Sequence, residues 1–334
     1  MMGRVLLLTL LLPLLCAGFG AGAQAQAGSF CLPGLLANDN IYFGGDINIL
    51  SGAAVDGVGS TQISCRNLRD GQVIRVCLGS SQSSPRTLAN NTYHSSLNYE
   101  IFTNERRDSL FVPVTQSDVF IDLSKTSPTA KFNFYGRIFE NQQSASVGDY
   151  YANQRDFMMR LIFFDGIAPS GGCAAAGSNS GTLSVGLGAG GTVIPNCSIS
   201  NIQDMIFPRQ TIFTGDVTEQ APAQFTVKCT TDAPYAIGLD DGLNARNGRC
   251  PSSSQRCMVS RQNPAHRIDY DLYDTNQRLS RWGATDPLAV GAGSKPRRGR
   301  YVGETITVYG KIPKPTLSPA PGDYSDTIIV TLNF

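Results

Sequence analysis

A duplicated pattern dictates the architecture of this chain before any single residue does. FNFYGRIFENQQSASVGDY, starting at Phe132, and ITVYGKIPKPTLSPAPGDY, starting at Ile306, share Tyr-Gly-basic-Ile followed by Gly-Asp-Tyr. Gly136 precedes Gly148 by twelve residues, and Gly310 precedes Gly322 by twelve. An extra YANQ follows Tyr150, after which residues 156–164 (DFMMRLIFF) match 326–334 (DTIIVTLNF) in length and ending. Upstream, LNYEIFTN and IDYDLYDT set Tyr99 opposite Tyr270 and Phe102 opposite Tyr273. Phe43 to Cys65 and Phe207 to Cys229 are each twenty-two residues. The repeat predicts two copies of one unit, 28–166 and 192–334, joined by a Gly/Ser-rich segment, 167–191. In that segment Leu183, Val185, Leu187 and Ala189 alternate, so it is both a candidate spacer and a candidate strand completing the first unit.

Each copy reads as β. Short alternating runs such as AQFTVKC, PYAIGL and TITVYGKI are separated by Gly, Pro, Asn and Asp clusters about every ten residues. No stretch carries helical periodicity, and units of this size favour antiparallel sandwiches. The last run alternates Ile328, Val330, Leu332 and Phe334, giving a buried face and an edge. Unpaired edges invite pairing with another chain.

Residues 1–23 have the parts of a secretory signal: Arg4, an apolar run over 5–15, and a small-residue site at Ala21-Gly22-Ala23. The residue before Cys16 is not small, which argues against lipid attachment. Eight cysteines remain beyond it, and an even number in an exported chain predicts four disulfides. Cys31 to Cys65 (34 residues) mirrors Cys197 to Cys229 (32), and Cys250–Cys257 would close a small loop. Cys77–Cys173 then remains, although spacing alone does not prove connectivity.

Chemistry is sparse. The 27 basic and 26 acidic residues nearly balance, which removes the electrostatic case for nucleic acid. Lys295, Arg297, Arg298 and Arg300 sit among Gly and Pro and read as a solvated loop. Only His94 and His266 are present and no CxxC occurs, so no metal or cofactor site is expected. Gly186, Gly188 and Gly191 spell GxGxxG, but strand-like TVIPNC follows where a phosphate cradle needs a helix. Asp240 and Asp241 read as turn residues after a strand. No catalytic residue is identified, and an enzyme is not expected.

The C-terminal copy, with FTVKCTTDAPYAIGLDDG, IDYDLYDTNQRLSRWG and YGKI…PGDYSDTIIVTLNF, resembles the spore coat protein U domain of archaic, Csu-type chaperone–usher pilins. The N-terminal copy is similar more loosely, lacking counterparts of Trp282 and the Pro-Tyr strand. The resemblance implies two immunoglobulin-like β-sandwich domains, the C-terminal one lacking its last strand. Its partners would be a periplasmic chaperone, an outer-membrane usher and the next pilin subunit, which donates the missing strand at the edge of 328–334. QAQAGSF ahead of Cys31 is too short and polar to be donated in turn. The expectation is therefore a tip adhesin, exported through the periplasm to the cell surface, whose front domain grips an abiotic or host surface. Candidate adhesive loops are DSLFVPV (Leu110, Phe111, Val112), the inserted YYANQ (Tyr151) and DGIAPSGG (Ile167, Pro169). A glycan pocket competes with apolar loops, and a non-adhesive coat or fibre subunit competes with the adhesin.

Overall fold

The computed structural model describes residues 28–33, 40–80, 85–114, 116–177, 179–219, 222–251, 256–283 and 297–334, with backbone only at 153–157, 179 and 183–187. The signal segment and Lys295 lie outside the described residues. The front unit contains β1 (Phe30–Pro33), β2 (Asn40–Tyr42), β3 (Val55–Arg66), β4 (Gln72–Ser80), β5 (Arg86–Asn90) and β6 (Ser95–Phe102). It continues with β7 (Phe120–Ser124), β8 (Thr129–Ile138), β9 (Gly148–Asp165) and β10 (Asn179–Val193). The rear unit contains β11 (Cys197–Ser200), β12 (Val217–Thr218), β13 (Ala223–Cys229), β14 (Pro234–Leu239) and a single helical turn, α1 (Leu243–Arg246). Then follow β15 (Cys257–Ser260), β16 (Arg267–Asp269), β17 (Asp271–Tyr273), β18 (Arg297–Arg298), β19 (Glu304–Ile312), β20 (Tyr324–Ser325) and β21 (Val330–Asn333).

Strand order in the front unit is β10-β2-β3-β8-β6-β5-β9-β4-β7, and β10 also pairs with β9, so the path closes at β9 while β4 and β7 extend beyond it. β8 shows why the sequence folds this way: Ala130, Phe132, Phe134 and Ile138 point into the core while Lys131 and Asn133 point out. That is the period-two alternation of a sheet with one wet face.

The repeated Tyr-Gly pair has a steric cause. A Cβ on Gly136 would lie 2.6 Å from Phe43 Cζ and 2.7 Å from Ile41 Cγ2. On Gly310 it would lie 2.7 Å from Phe207 Cζ and collide with Met205 Sδ. Each glycine thus opens the space into which the first apolar segment of its unit packs. Phe43 then meets Tyr99 edge-to-face at 5.7 Å, and Phe207 meets Tyr270 at 6.3 Å. The four disulfides join Cys31–Cys65, Cys77–Cys173, Cys197–Cys229 and Cys250–Cys257.

The structure decides one alternative left open by the sequence and departs from the sequence reading in three places. The segment 167–191 is not only a spacer: β10 runs through most of it, antiparallel to β9 and parallel to β2. The inserted YYANQ is not a loop but part of the eighteen-residue β9, because its backbone finds partners in β10. Arg297 and Arg298 form β18 against Pro234 and Tyr235, since Arg297 pairs with Glu304 at 2.6 Å. The terminal blocks match one residue out of step with the 156-to-326 alignment. The core-facing residues are Met159, Leu161 and Phe163 on one strand, and Ile328, Val330 and Leu332 on the other run. A one-residue slip reverses every side chain, so burial decides the register.

Candidate functional site

The difference between the two copies lies along the last strand of each. In the front unit β9 has β4 on one side and β10 on the other. In the rear unit β21 pairs with β14, Ile237 facing Leu332 and Leu239 facing Val330, and among the described residues its other edge carries no strand. The segment ahead of Phe207, counterpart of β2, forms no named strand either.

The apolar residues respond to that gap. Val55 and Val119 are the partly buried hydrophobics against the front core. Against the rear core they include Ile199, Met205, Phe207, Phe213, Met258, Ile328, Val330 and Leu332. Phe334, just past β21, is 55% exposed. Full burial of such a side chain is worth about 1.5–3 kcal/mol, so covering a half-exposed one recovers about 1 kcal/mol. Covering half a dozen is comparable to the entire stability of an ordinary domain, about 5–15 kcal/mol.

The open edge is held in place from its inner side. The amide of Asp240 donates to the carbonyl of Ile329 at 3.1 Å, and the Ile329 amide donates to the Asp240 carboxylate at 2.8 Å. Asp326 accepts the Asn244 amide at the start of α1 (3.0 Å) and the Tyr270 hydroxyl (2.9 Å). Asn244 in turn donates to the carbonyls of Cys257 and Ser325 at 3.1 and 2.9 Å. Beneath this turn lies buried Arg256, donating to the carbonyls of Leu239, Asp240 and Trp282. Burial pulls its guanidinium below the ordinary arginine value, and burial followed by the Asp326 charge pushes the Tyr270 phenol up. These bonds order the edge in advance, which lowers the entropic cost of any later pairing with it.

The candidate adhesive residues do not form one patch type. Ile167 is 98% exposed, Tyr151 59% and Leu110 48%. Pro169 is also exposed and Val112 is half-buried. Phe111 is a correction: it is 4% exposed and packs edge-to-face on Phe134 at 5.6 Å, so no external surface reaches it. Its alternating neighbours in an apolar run made strand-like burial and loop exposure indistinguishable in sequence.

One paired feature escaped the sequence reading. Arg107, with φ +58°, donates to the Gly136 carbonyl at 3.1 Å and lies over the Tyr135 ring at 5.7 Å. Arg278, with φ +53°, donates to the Gly310 carbonyl at 3.0 Å and lies over Tyr309 at 5.6 Å. Each arginine stands eight residues after Tyr99 or Tyr270, a spacing that could have exposed the pair. Among the described residues no group of three or more His, Cys, Asp or Glu is placed to hold a metal.

The Spore Coat Protein U domain model matches residues 22–152 and again 181–331. No curated protein matches the chain. Among solved structures, similarity extends to a chain of the CsuC–CsuE chaperone–tip adhesion subunit pre-assembly complex from archaic chaperone-usher Csu pili of Acinetobacter baumannii. Identity is 18% and the TM-score 0.48, covering 88% of this chain and 98% of that one. The CupB6 tip adhesin from Pseudomonas aeruginosa gives 11% identity and TM-score 0.32 over 83% and 86% of the two chains. A chain of a CFA/I fimbrial chaperone–tip adhesin complex gives 9% and 0.32 over 88% and 95%.

Proposed function

The chain belongs to the Spore Coat Protein U domain family, and from that premise we propose that it is the tip adhesin subunit of a chaperone–usher pilus. Its rear unit accepts a strand, first from a periplasmic chaperone and then from the next subunit at the usher. Its front unit needs none and is free to face a surface. The observation that carries this reading is the contrast between the two last strands. β9 is covered on both edges, and β21 on one.

β10 makes the contrast directional. It lies immediately ahead of the rear unit and is spent inside the molecule, between β9 and β2. A segment so used is not available to a neighbouring subunit, and it covers the edge of β9 that corresponds to the open edge of β21. The rear groove alone joins the fibre. Exposed Ile167, Tyr151 and Leu110 are the front residues offered to a surface, and the molecule is exported and displayed at the pilus end.

The test is co-expression of the full precursor with a cognate chaperone, comparing wild type with Val330→Asp/Leu332→Asp. Wild type should be recovered only with chaperone and exchange it for an added apolar donor peptide. The double variant should be recovered with neither. A wild-type protein that refolds alone to a stable monomer indifferent to both would refute the reading.

A further inference from the structure

The front unit carries an aromatic row that the strand-accepting role does not use and of which the candidate adhesive residues include only Tyr151. Gly190 of β10 lies opposite Tyr151 on one side and Tyr42 on the other. Tyr42 lies opposite Val58, and Val58 opposite Tyr135. Directly facing residues point to the same side of a sheet. Tyr151, Tyr42 and Tyr135 therefore stand in one line across five strands, every second strand, about 10 Å apart. Tyr42 is 60% exposed, Val58 59% and Tyr151 59%.

A polar row runs beside it. Asn40 faces Gly188, and Ser60 faces Asn133, each two residues along from the aromatic row. The Asn40 side-chain oxygen accepts the Gly188 amide at 3.0 Å. Among the described residues the Ser60 and Asn133 side chains have no hydrogen-bond partner. Together the rows line a cleft of about 620 Å³, which continues past Tyr42 into one of about 180 Å³ against Tyr151 and Gly190.

The floor is kept low. A Cβ on Gly190 would press on the Tyr151 ring at 3.1 Å, and one on Gly188 would collide with the Asn40 amide. Arg107, paired with Asp56 at 3.2 Å, props Tyr135 from the side away from the polar row. The platform is not simply part of the repeated fold: the rear counterpart of Tyr42 is Ile206, and Tyr151 falls in the insertion the rear unit lacks.

From this geometry, and resting on the reading of the front unit as the outward one, we infer that the row is a binding site for an extended, uncharged oligosaccharide. Pyranose rings offer C–H faces to aromatic rings and hydroxyls to amides and a serine, which matches the two rows. Among the described residues no carboxylate lines the larger cleft, and Lys131 is the one cation that does. A peptide strand has nothing to pair with here, because β10, β2, β3 and β8 each have neighbours on both sides at this row. Twist weighs against a flat solid on all three rings: the usual twist of about 20–25° per strand would turn successive tyrosines by about 40–50°. A flexible glycan can follow that turn and a rigid plane cannot.

The experiment measures retention of the full mature chain, in complex with its chaperone or donor peptide, on cellulose, chitin, mannan and starch, with alkyl-coated beads as comparison. Wild type should be retained on at least one polysaccharide and released by the matching soluble oligosaccharide. Tyr42→Ala and Asn133→Ala should each weaken retention about tenfold, and Tyr42→Phe should keep it. Binding to alkyl beads should not change among these variants. No retention on any of the four, or equal retention by Tyr42→Ala, overturns the site. Loss confined to alkyl beads also overturns it, marking the row as plain apolar surface. Chaperone recovery is scored in parallel: if it persists while glycan retention fails, this inference falls and the strand-accepting role stands.

Discussion

Asp240 and Ile329 hold each other twice, backbone amide to backbone carbonyl at 3.1 Å and backbone amide to carboxylate at 2.8 Å. This reciprocal pair pins the residue that enters β21, so it sets where the open edge begins. The same carboxylate accepts the Gly242 amide at 3.1 Å, tying the edge to the turn after β14. Asp240→Ala leaves both amides without that acceptor and should cost about 1–3 kcal/mol. Hydrogen exchange at Ile329 should accelerate and chaperone recovery should fall, while Asp240→Asn, which keeps an acceptor oxygen, should restore both.

Ala189 tests whether β10 is structural in the front unit. It is 6% exposed and lies between Ala152 and Ile41. Proline there removes an N–H from a strand paired on both sides and orphans a carbonyl, about 1–3 kcal/mol before any steric strain. Differential scanning calorimetry should show the front transition lowered by several degrees. The single tryptophan, Trp282, is 3% exposed in the rear core, so its fluorescence transition should not move.

The disulfides should rank by the loop each closes. In the chain-entropy picture the 96-residue separation of Cys77–Cys173 contributes about 4.7 kcal/mol, and the seven-residue Cys250–Cys257 about 2.4 kcal/mol. Paired Cys→Ala replacement at each bridge, followed by denaturant unfolding, should reproduce that order. The reverse order would mean that Cys77–Cys173 is not part of the folded core it appears within, beside Val114, Ile162 and Phe164.

Alkaline pH should destabilise the rear unit. Burial, and then the hydrogen bond to Glu304 (2.8 Å), pushes the Tyr235 phenol up to about 12. A tyrosine in an unfolded chain ionises near 10. The raised folded value means the contribution is intact below pH 10 and is lost as pH rises from 10 through 12, about 3 kcal/mol in all. Tyr270 shifts in the same direction. Trp282 fluorescence against pH should show the loss in that window, and Tyr235→Phe should shrink it.

Much of the architecture was legible because repetition is a one-dimensional signal. Gly136 and Gly310, Tyr99 and Tyr270, and the paired cysteines recur at matched spacings, and each spacing has a contact behind it. The Arg107 and Arg278 clamps recur just as regularly. They went unread because an arginine in an exposed turn looks like any solvated charge until its carbonyl and ring partners are adjacent. Phe111 and the YYANQ insertion misled for the opposite reason. Apolar residues near turns have no local mark of burial, and an insertion lengthens a strand or makes a loop according to whether a neighbour can pair with it.

Composition, periodicity and duplication, all local properties, were enough to determine two β units, their disulfide economy and the alternating run over 328–334. That β10 covers the corresponding edge in the front unit was decided by the tertiary structure. Leu183, Val185 and Leu187 alternate whether β10 fills its own molecule or another. The alignment of Tyr151, Tyr42 and Tyr135 likewise exists only across strands far apart in sequence. Pairing partners are a matter of three-dimensional neighbourhood, and no periodicity along one strand says what lies beside it.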